Sequence, residues 1–260
     1  MRWHAHGPWL LALLLHAAAA AAEPRPEQEA TLRVCIGDQP IPPYLTHDPA
    51  KPGRAERLMI EAGRQIDIAV VLLRFPPGRC RQMTQAGQAD LLLAAPIPEL
   101  LDRLDFPMRA GQVDVERRVA RTALVWVRRA TTRLDWDGQH MVGDLPAGRE
   151  LLVGVRANQL ANVSAASALG FSVDQSGLTV PRVLRMLASG RFDVVLGLQE
   201  EIELALADGH AGALVVMPVA LTRQDFYAAA ARTMGPATRQ LSDRWWSQIA
   251  RLRDRPEHRD

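Results

Sequence analysis

The sequence carries none of the common enzyme signatures. It has no Gly-x-Ser-x-Gly elbow, no His-Glu-x-x-His pair and no Gly-rich phosphate loop. Acyl transfer, zinc hydrolysis and nucleotide binding therefore lose their usual sequence markers. Histidine is sparse: beyond the N-terminal stretch it stands alone at His47, His140, His210 and His258, at no metal-ligand spacing. No cofactor is expected. The formal charge is only +2 and the Arg are scattered, so no basic block marks a nucleic-acid surface. After the first 22 residues no apolar run approaches the length of a membrane span. Cysteine is almost missing, with Cys35 and Cys80 alone, neither in a Cys-x-x-Cys pair nor beside His.

What is present begins with 260 residues, 48% of them hydrophobic, enough for one large domain or two small ones. Arg2 precedes the run WLLALLLHAAAAAA, which is short, Ala-rich and ends in small residues. That pattern reads as a secretory signal over residues 1–22, cleaved after Ala22, with an uncleaved anchor as the alternative. No Cys follows the cleavage point, which argues against a lipoprotein. Residues 23–30, EPRPEQEA, form a polar, disordered lead-in. An oxidising compartment favours pairing Cys35 with Cys80. Two buried free thiols are the other possibility.

Hydrophobic periodicity gives the organisation. TLRVCIG (31–37) reads as a strand, and the Pro-crowded DQPIPPYLTHDPAKPG as a long loop. A helix follows over 54–66, then a strand at 68–75, a helix at 79–86 and a buried strand at 90–95. This β-loop-α-β-α-β order points to a mostly parallel sheet with helical crossovers. A strand at 119–127 and a turn-rich passage come next, and the alternation restarts. Strands are expected at 151–155, 171–174, 193–198 and 213–221. Helices are expected from Asn158, as N-cap, to Leu169, over 179–189, over 200–209 and over about 236–253.

One phrase occurs twice. QAGQADLLLAAP (85–96) and LASGRFDVVLGL (187–198) both run helix, Gly, x, x, Asp, apolar strand. Gly stops a helix, Asp occupies the tight turn, and a buried parallel strand begins. Asp90 and Asp193 are thus read as turn residues rather than catalytic carboxylates.

With these residues in place, the sequence resembles the extracytoplasmic solute-binding proteins of the polar amino acid type. The likeness rests on the order strand, PPY loop, helix, strand, helix, G-x-x-D and strand behind a signal segment. It is nearer to a divergent branch with PW-x-R-C where this chain has PPGRC (76–80), a WDG at Trp136-Asp137-Gly138, and a GR-x-D at Gly190-Arg191-Phe192-Asp193. The resemblance covers residues 31–253. It implies an α/β fold of the two-lobed, type II periplasmic binding protein kind, each lobe a mostly parallel sheet flanked by helices. Lobe one would be residues 31–120 plus 220–260 and lobe two 121–219, with crossing strands at 119–127 and 214–222. It also implies a periplasmic, monomeric protein that holds a small polar ligand, amino acid-like or an organic acid, in the cleft. The partner would be an inner-membrane importer or sensor.

The same resemblance nominates cleft residues, and two positions depart from it. The Arg that clamps a ligand carboxylate in relatives falls on Leu100, and Arg103, one turn later, is the substitute. The Asp that holds a ligand ammonium falls on Leu198, followed by Gln199, Glu200 and Glu201. Glu200 could reach a cation, although a solvated first helical turn is the plainer use of both glutamates. Tyr44 matches an aromatic that stacks on ligand, or else packs on its prolines. Asp38 opens the same loop. Pro96 replaces a small polar residue and removes a backbone donor. Arg156, Asn158 and Gln159 open the second-lobe helix, where relatives bind carboxylate, and Arg79 lies near the rim. A non-enzymatic binding protein is the main reading. The alternatives are a degenerate binding fold that engages a protein partner, and a secreted dehydratase with Glu200 or Asp38 as general acid.

Overall fold

The computed structural model describes Met1 and residues 30–209 and 212–258. The expected signal segment and lead-in, apart from Met1 and Ala30, lie outside the described residues, as does His210. In chain order, β1 (Ala30–Ile36) leads through the Pro-rich loop to α1 (Arg54–Arg64), β2 (Ile68–Arg74), α2 (Pro77–Gln85), β3 (Leu91–Ala94) and the one-turn α3 (Pro98–Leu101). Short strands β4 (Leu104–Asp105), β5 (Met108–Arg109) and β6 (Gln112–Val113) precede the long β7 (Ala120–Arg129). A small hairpin, β8 (Asp135–Trp136) with β9 (Met141–Val142), leads to β10 (Leu152–Arg156), α4 (Leu160–Ala168), β11 (Ser172–Gly177), α5 (Val180–Ala188), β12 (Val194–Leu198) and α6 (Gln199–Ala207). Then come β13 (Leu214–Val216), β14 (Thr222–Ala231) and α7 (Pro236–Leu252).

One sheet runs through the molecule in the order β11-β10-β12-β7-β14-β3-β1-β2. At one end β1 pairs in parallel with β2 and β3; at the other, β10 pairs in parallel with β11 and β12. The two halves are joined by β7 and β14. The start of β7 pairs with β14, from Phe226↔Ala120 to Thr222↔Leu124, and its later part with β12, from Leu198↔Leu124 to Val194↔Arg128. The later part of β14 pairs with β3, from Tyr227↔Ala94 to Ala230↔Leu91. Each long strand thus begins in one half-sheet and ends in the other.

The second crossing strand corrects the expectation for 214–222. Pro218, which has no N–H to give a ladder, separates β13 from β14, and β14 is the strand that crosses. Local propensity points to no strand over 222–231, because Ala and Asp are poor strand formers; here both edges are paired. The helix expected from Arg79 begins at Pro77, where the missing N–H of the first turn costs nothing.

Both faces of each half-sheet are covered. One core packs β1 and β3 under α1 and α7, with Leu32, Met59, Trp245 and Ile249 buried. Trp245 Nε1 donates to Met59 O (3.0 Å) and Trp246 Nε1 to Ala228 O (2.8 Å), which ties α7 to α1 and β14. The other face holds Cys35, Cys80, Leu92 and Tyr227. Cys35 and Cys80 form a disulfide that joins β1 to α2, with Cα atoms 5.5 Å apart. In the second half, Trp136 of the WDG packs on Trp126 (centroids 5.8 Å apart), while Asp137 Oδ1 accepts from the backbone N–H of Gln139 and His140 to close the β8–β9 turn.

The doubled phrase is one device used twice. Asp90 N donates to Arg33 O (2.9 Å) and Arg33 N donates back to Asp90 Oδ2 (2.8 Å). Asp193 N donates to Leu152 O (3.0 Å) and Leu152 N donates back to Asp193 Oδ2 (2.8 Å). Each Asp therefore latches the start of its strand to the strand beside it. A guanidinium completes each latch: Arg33 on Asp90, and Arg149 on Asp193 through two bonds of 2.6 and 2.7 Å. The Arg149 guanidinium beside it, helped by the Leu152 N–H, holds the Asp193 carboxyl below its ordinary value. Gly87 and Gly190, three residues earlier, sit at φ +69 and +81, the left-handed geometry that ends a helix with a glycine.

Candidate functional site

Parallel strands aim their carboxyl ends at the gap between the halves, the usual place for a ligand in open α/β sheets. A cavity of about 120 Å³ lies there, on the scale that takes a body of benzene-like bulk. Gly37 and Ala95 reach it from just beyond β1 and β3, and Arg156 and Leu198 from the ends of β10 and β12. Its floor is the pair of crossing strands. Thr122 and Gln224 are cross-strand partners, and Ala120 and Phe226 are the next such pair on the same face. The lining is mostly apolar, with Ile41, Leu45, Leu92, Leu100, Leu160 and Leu198 among its walls.

The polar groups are few, and the charged ones among them, Arg81 and Arg156, are donors only. Arg156 is buried and its Nη2 donates to Glu201 Oε1 (3.1 Å), while Gln159 Nε2 donates to Glu201 Oε2 (3.0 Å). Glu201 is only 4% exposed, which corrects the expectation of a solvated glutamate. Burial pushes its carboxyl up and Arg156 opposes that. Arg156 Nε and Gln224 Nε2 are buried without a hydrogen-bond partner. Arg81 reaches across from α2 and donates to Asn158 O (3.2 Å) and Oδ1 (3.4 Å). Burial, with repulsion from Arg103 added, lowers its pKa. None of the described residues lining the cavity is acidic.

Of the residues nominated from sequence, Tyr44, Arg156, Asn158 and Gln159 line this cavity. Tyr44 is fixed: its hydroxyl donates to Arg121 O on β7, and the Arg54 guanidinium lies 5.2 Å over its ring. Asn158 is not the helix cap. It adopts φ +65 one residue earlier, and Gln159 holds the N-cap position without a side-chain bond. Arg103 is exposed and lines an adjoining outer chamber instead.

Asp38, Arg79, Pro96, Gln199 and Glu200 are not among the cavity's lining residues. Arg79 is exposed, because a helix that starts at Pro77 turns Arg81 inward in its place. Gln199 Nε2 donates to Glu203 Oε1 within its own helix (2.7 Å). Glu200 is half-buried and accepts from the hydroxyl of Thr122 on the floor; burial pushes its carboxyl up against that bond. Leu100 and Leu198, at the clamp and ammonium positions of the resemblance, both face the cavity.

Sequence reasoning missed Arg81, Thr122, Gln224 and Phe226. The period-2 alternation of a strand would group Ala120 with Thr122 and Gln224 with Phe226, but only the pairing of β7 with β14 puts those faces under the gap.

Neither a family model nor a curated protein sequence matches the chain. Solved structures do. A histidine kinase sensor domain with similarity to periplasmic binding proteins aligns at a TM-score of 0.64 and 18% identity, over 86% of this chain and 90% of that one. The GluR0 ligand-binding core from Nostoc punctiforme, in complex with L-glutamate, aligns at 0.61 and 14%, over 88% and 95%. An ancestral amino acid-binding protein, a precursor of cyclohexadienyl dehydratase, aligns at 0.58 and 16%, over 86% and 90%. Identities this low speak to fold alone. The chain has the two-lobed α/β fold of type II periplasmic binding proteins, the class its sequence leads one to expect.

Proposed function

We propose that the chain is an exported, periplasmic binding protein, not an enzyme, that captures a small organic anion with an apolar body and presents it to an importer or sensor. In this reading residues 31–120 with 220–260 form one lobe and 121–219 the other. The observation that carries the proposal is the chemistry of the cavity: apolar walls, two guanidiniums and buried amide donors, with no acid among its lining residues. A carboxylate would satisfy the unpartnered donors of Arg156 and Gln224, each of which otherwise costs about 1–3 kcal/mol of desolvation. An ammonium group would meet Leu198, which gives it no partner. The dehydratase reading needs a general acid at the substrate; Glu200 is turned to Thr122 and Asp38 lies off the lining. The partner-binding reading gives the unpaired buried donors no use.

The test is thermal shift of the mature chain with hexanoate and phenylacetate against their 2-amino counterparts, norleucine and phenylglycine. The simple acids should raise Tm and the amino acids should raise it less. Gln224→Leu should lower affinity for the acids by about tenfold without loss of stability, since an apolar group then replaces an unsatisfied amide. Amino acids that bind as well as the acids would overturn the anion reading. No response to any small acid would transfer weight to the protein-partner reading.

A further inference from the structure

Beside the apolar cavity, α2, α3 and the residues before α4 enclose an adjoining chamber of about 390 Å³. The two spaces share Arg81, Leu92, Leu100, Asn158 and Leu160 in their linings, so they adjoin, with Arg81 as the one charged residue common to both. Their chemistry differs. The outer chamber is lined by Arg81, Gln82 and Gln85 on one face of α2, by Glu99 and Arg103 at α3, and by Asn158 opposite. Its charge is therefore two guanidiniums against one carboxylate. Arg81 spends its hydrogen bonds on neutral Asn158. Among the described residues neither Arg81 nor Arg103 has an ion-pair partner, and Glu99 pairs with neither. The two cations are close enough for Arg103 to disfavour the charged form of Arg81. Two guanidiniums without ion-pair partners, in a chamber whose other polar residues are three amides and the single carboxylate of Glu99, make a place where an anion relieves repulsion and gains bidentate bonds.

We propose that this chamber is a second anion subsite, held by Arg81 and Arg103, so that the preferred ligand is a dianion whose apolar body fills the inner cavity. The inference rests on the organic-anion reading above and deepens it. The outer group needs no deep burial, since the chamber is open to solvent on the side of Arg103, which is exposed. Its contribution is therefore screened by salt, unlike that of the inner donors.

The experiment is titration calorimetry with matched pairs, hexanoate against adipate and benzoate against terephthalate, at low and at high salt. The dianion of the preferred pair should bind about 10- to 100-fold tighter than its monoanion at low salt, and the gap should narrow as salt rises. Arg103→Gln should remove most of that gap and leave monoanion affinity within about twofold. Its melting temperature should match the parent, because the side chain has no hydrogen-bond or ion-pair partner to lose. Monoanions that bind while dianions gain nothing would overturn the subsite and leave the organic-anion reading standing. An equal loss for both anions in Arg103→Gln would also overturn it, since Arg103 would then act on the whole cleft. If neither class binds, both proposals fall together.

Discussion

Reducing the Cys35–Cys80 bridge should lower stability by an amount set by the loop it closes. The two cysteines are 45 residues apart in sequence, and closing a loop of that length removes about 4 kcal/mol of chain entropy from the unfolded state. The folded state has little reason to object. Cys35 and Cys80 are fully buried, and the Cys80 sulfur lies 3.2 Å from Ile36 O, so a reduced thiol finds an acceptor in place. The perturbation therefore acts almost wholly on the unfolded chain. Urea unfolding followed by fluorescence, with and without reductant, reads it directly. With a slope of about 2–3 kcal/mol per molar urea for a chain of this size, the midpoint should drop by about 1.3–2 M. Ligand affinity in native buffer should stay within about threefold, although Cys80 is the immediate neighbour of Arg81. A midpoint shift below about 0.5 M would refute the loop-entropy argument. A collapse of affinity with folding intact would show instead that the bridge shapes the cavity.

Two further perturbations address the frame around the cleft. Glu56 is wholly buried and accepts from Gly53 N (2.7 Å), Thr46 N (3.0 Å) and Arg74 Nη2 (2.7 Å), which pins the Pro-rich loop to the head of α1. Glu56→Gln should cost about 2–3 kcal/mol in urea unfolding. Burial pushes the Glu56 carboxyl up, but the bonds from Thr46, Gly53 and Arg74 together outweigh it, so its folded pKa lies below the ordinary 4.5. Its stabilisation is then complete above about 4.5 and lost as pH falls through the lower folded value. Stability measured against pH should fall less steeply in the Gln variant, and an unchanged acid limb would contradict the assignment. Gly87→Ala and Gly190→Ala meet open space, so only the left-handed backbone is strained. Each should cost about 1 kcal/mol, and the double variant should show the sum because the sites lie in separate halves.

The fold was largely legible because its signals are local. Helix periodicity, the Pro-rich loop and the repeated Gly-x-x-Asp all report on a few adjacent residues, and each half of the sheet follows from them. What stayed hidden depends on pairing across long separations. The turn chemistry of Asp90 and Asp193 is visible in sequence, but their service to the backbone of Arg33 and Leu152 is not. Likewise β14 is strand only because β7 and β3 flank it. The site shows the same division. Tyr44 lies in the loop that follows β1, and Arg156, Asn158 and Gln159 lie at or just past the end of β10, so all could be placed from strand order. Arg79 was the wrong arginine of its helix by two residues, since a start at Pro77 rotates the face that looks inward.

In the proposed anion reading, the two leucines in the cleft amount to one change of ligand chemistry. In the resemblance, the positions of Leu100 and Leu198 carry the two charges that read an amino acid, one for its carboxylate and one for its ammonium. Loss of the first alone would leave a site selective for amines; loss of the second alone would leave one selective for acids. In the proposed anion reading, with both apolar, Arg81 on α2 would supply the cationic pole and Gln224 on β14 an amide donor, and none of the described lining residues is an acid that could replace the second. The consequence is selectivity through exclusion as well as attraction. An amino acid entering this cavity would bury an ammonium with no carboxylate on the described lining to pair it, at several kcal/mol, whereas its deaminated counterpart would not. A difference of about 4 kcal/mol between such a pair amounts to roughly a thousandfold in affinity. The wall at Leu198 would thus contribute as much to the choice of ligand as the guanidiniums that face it.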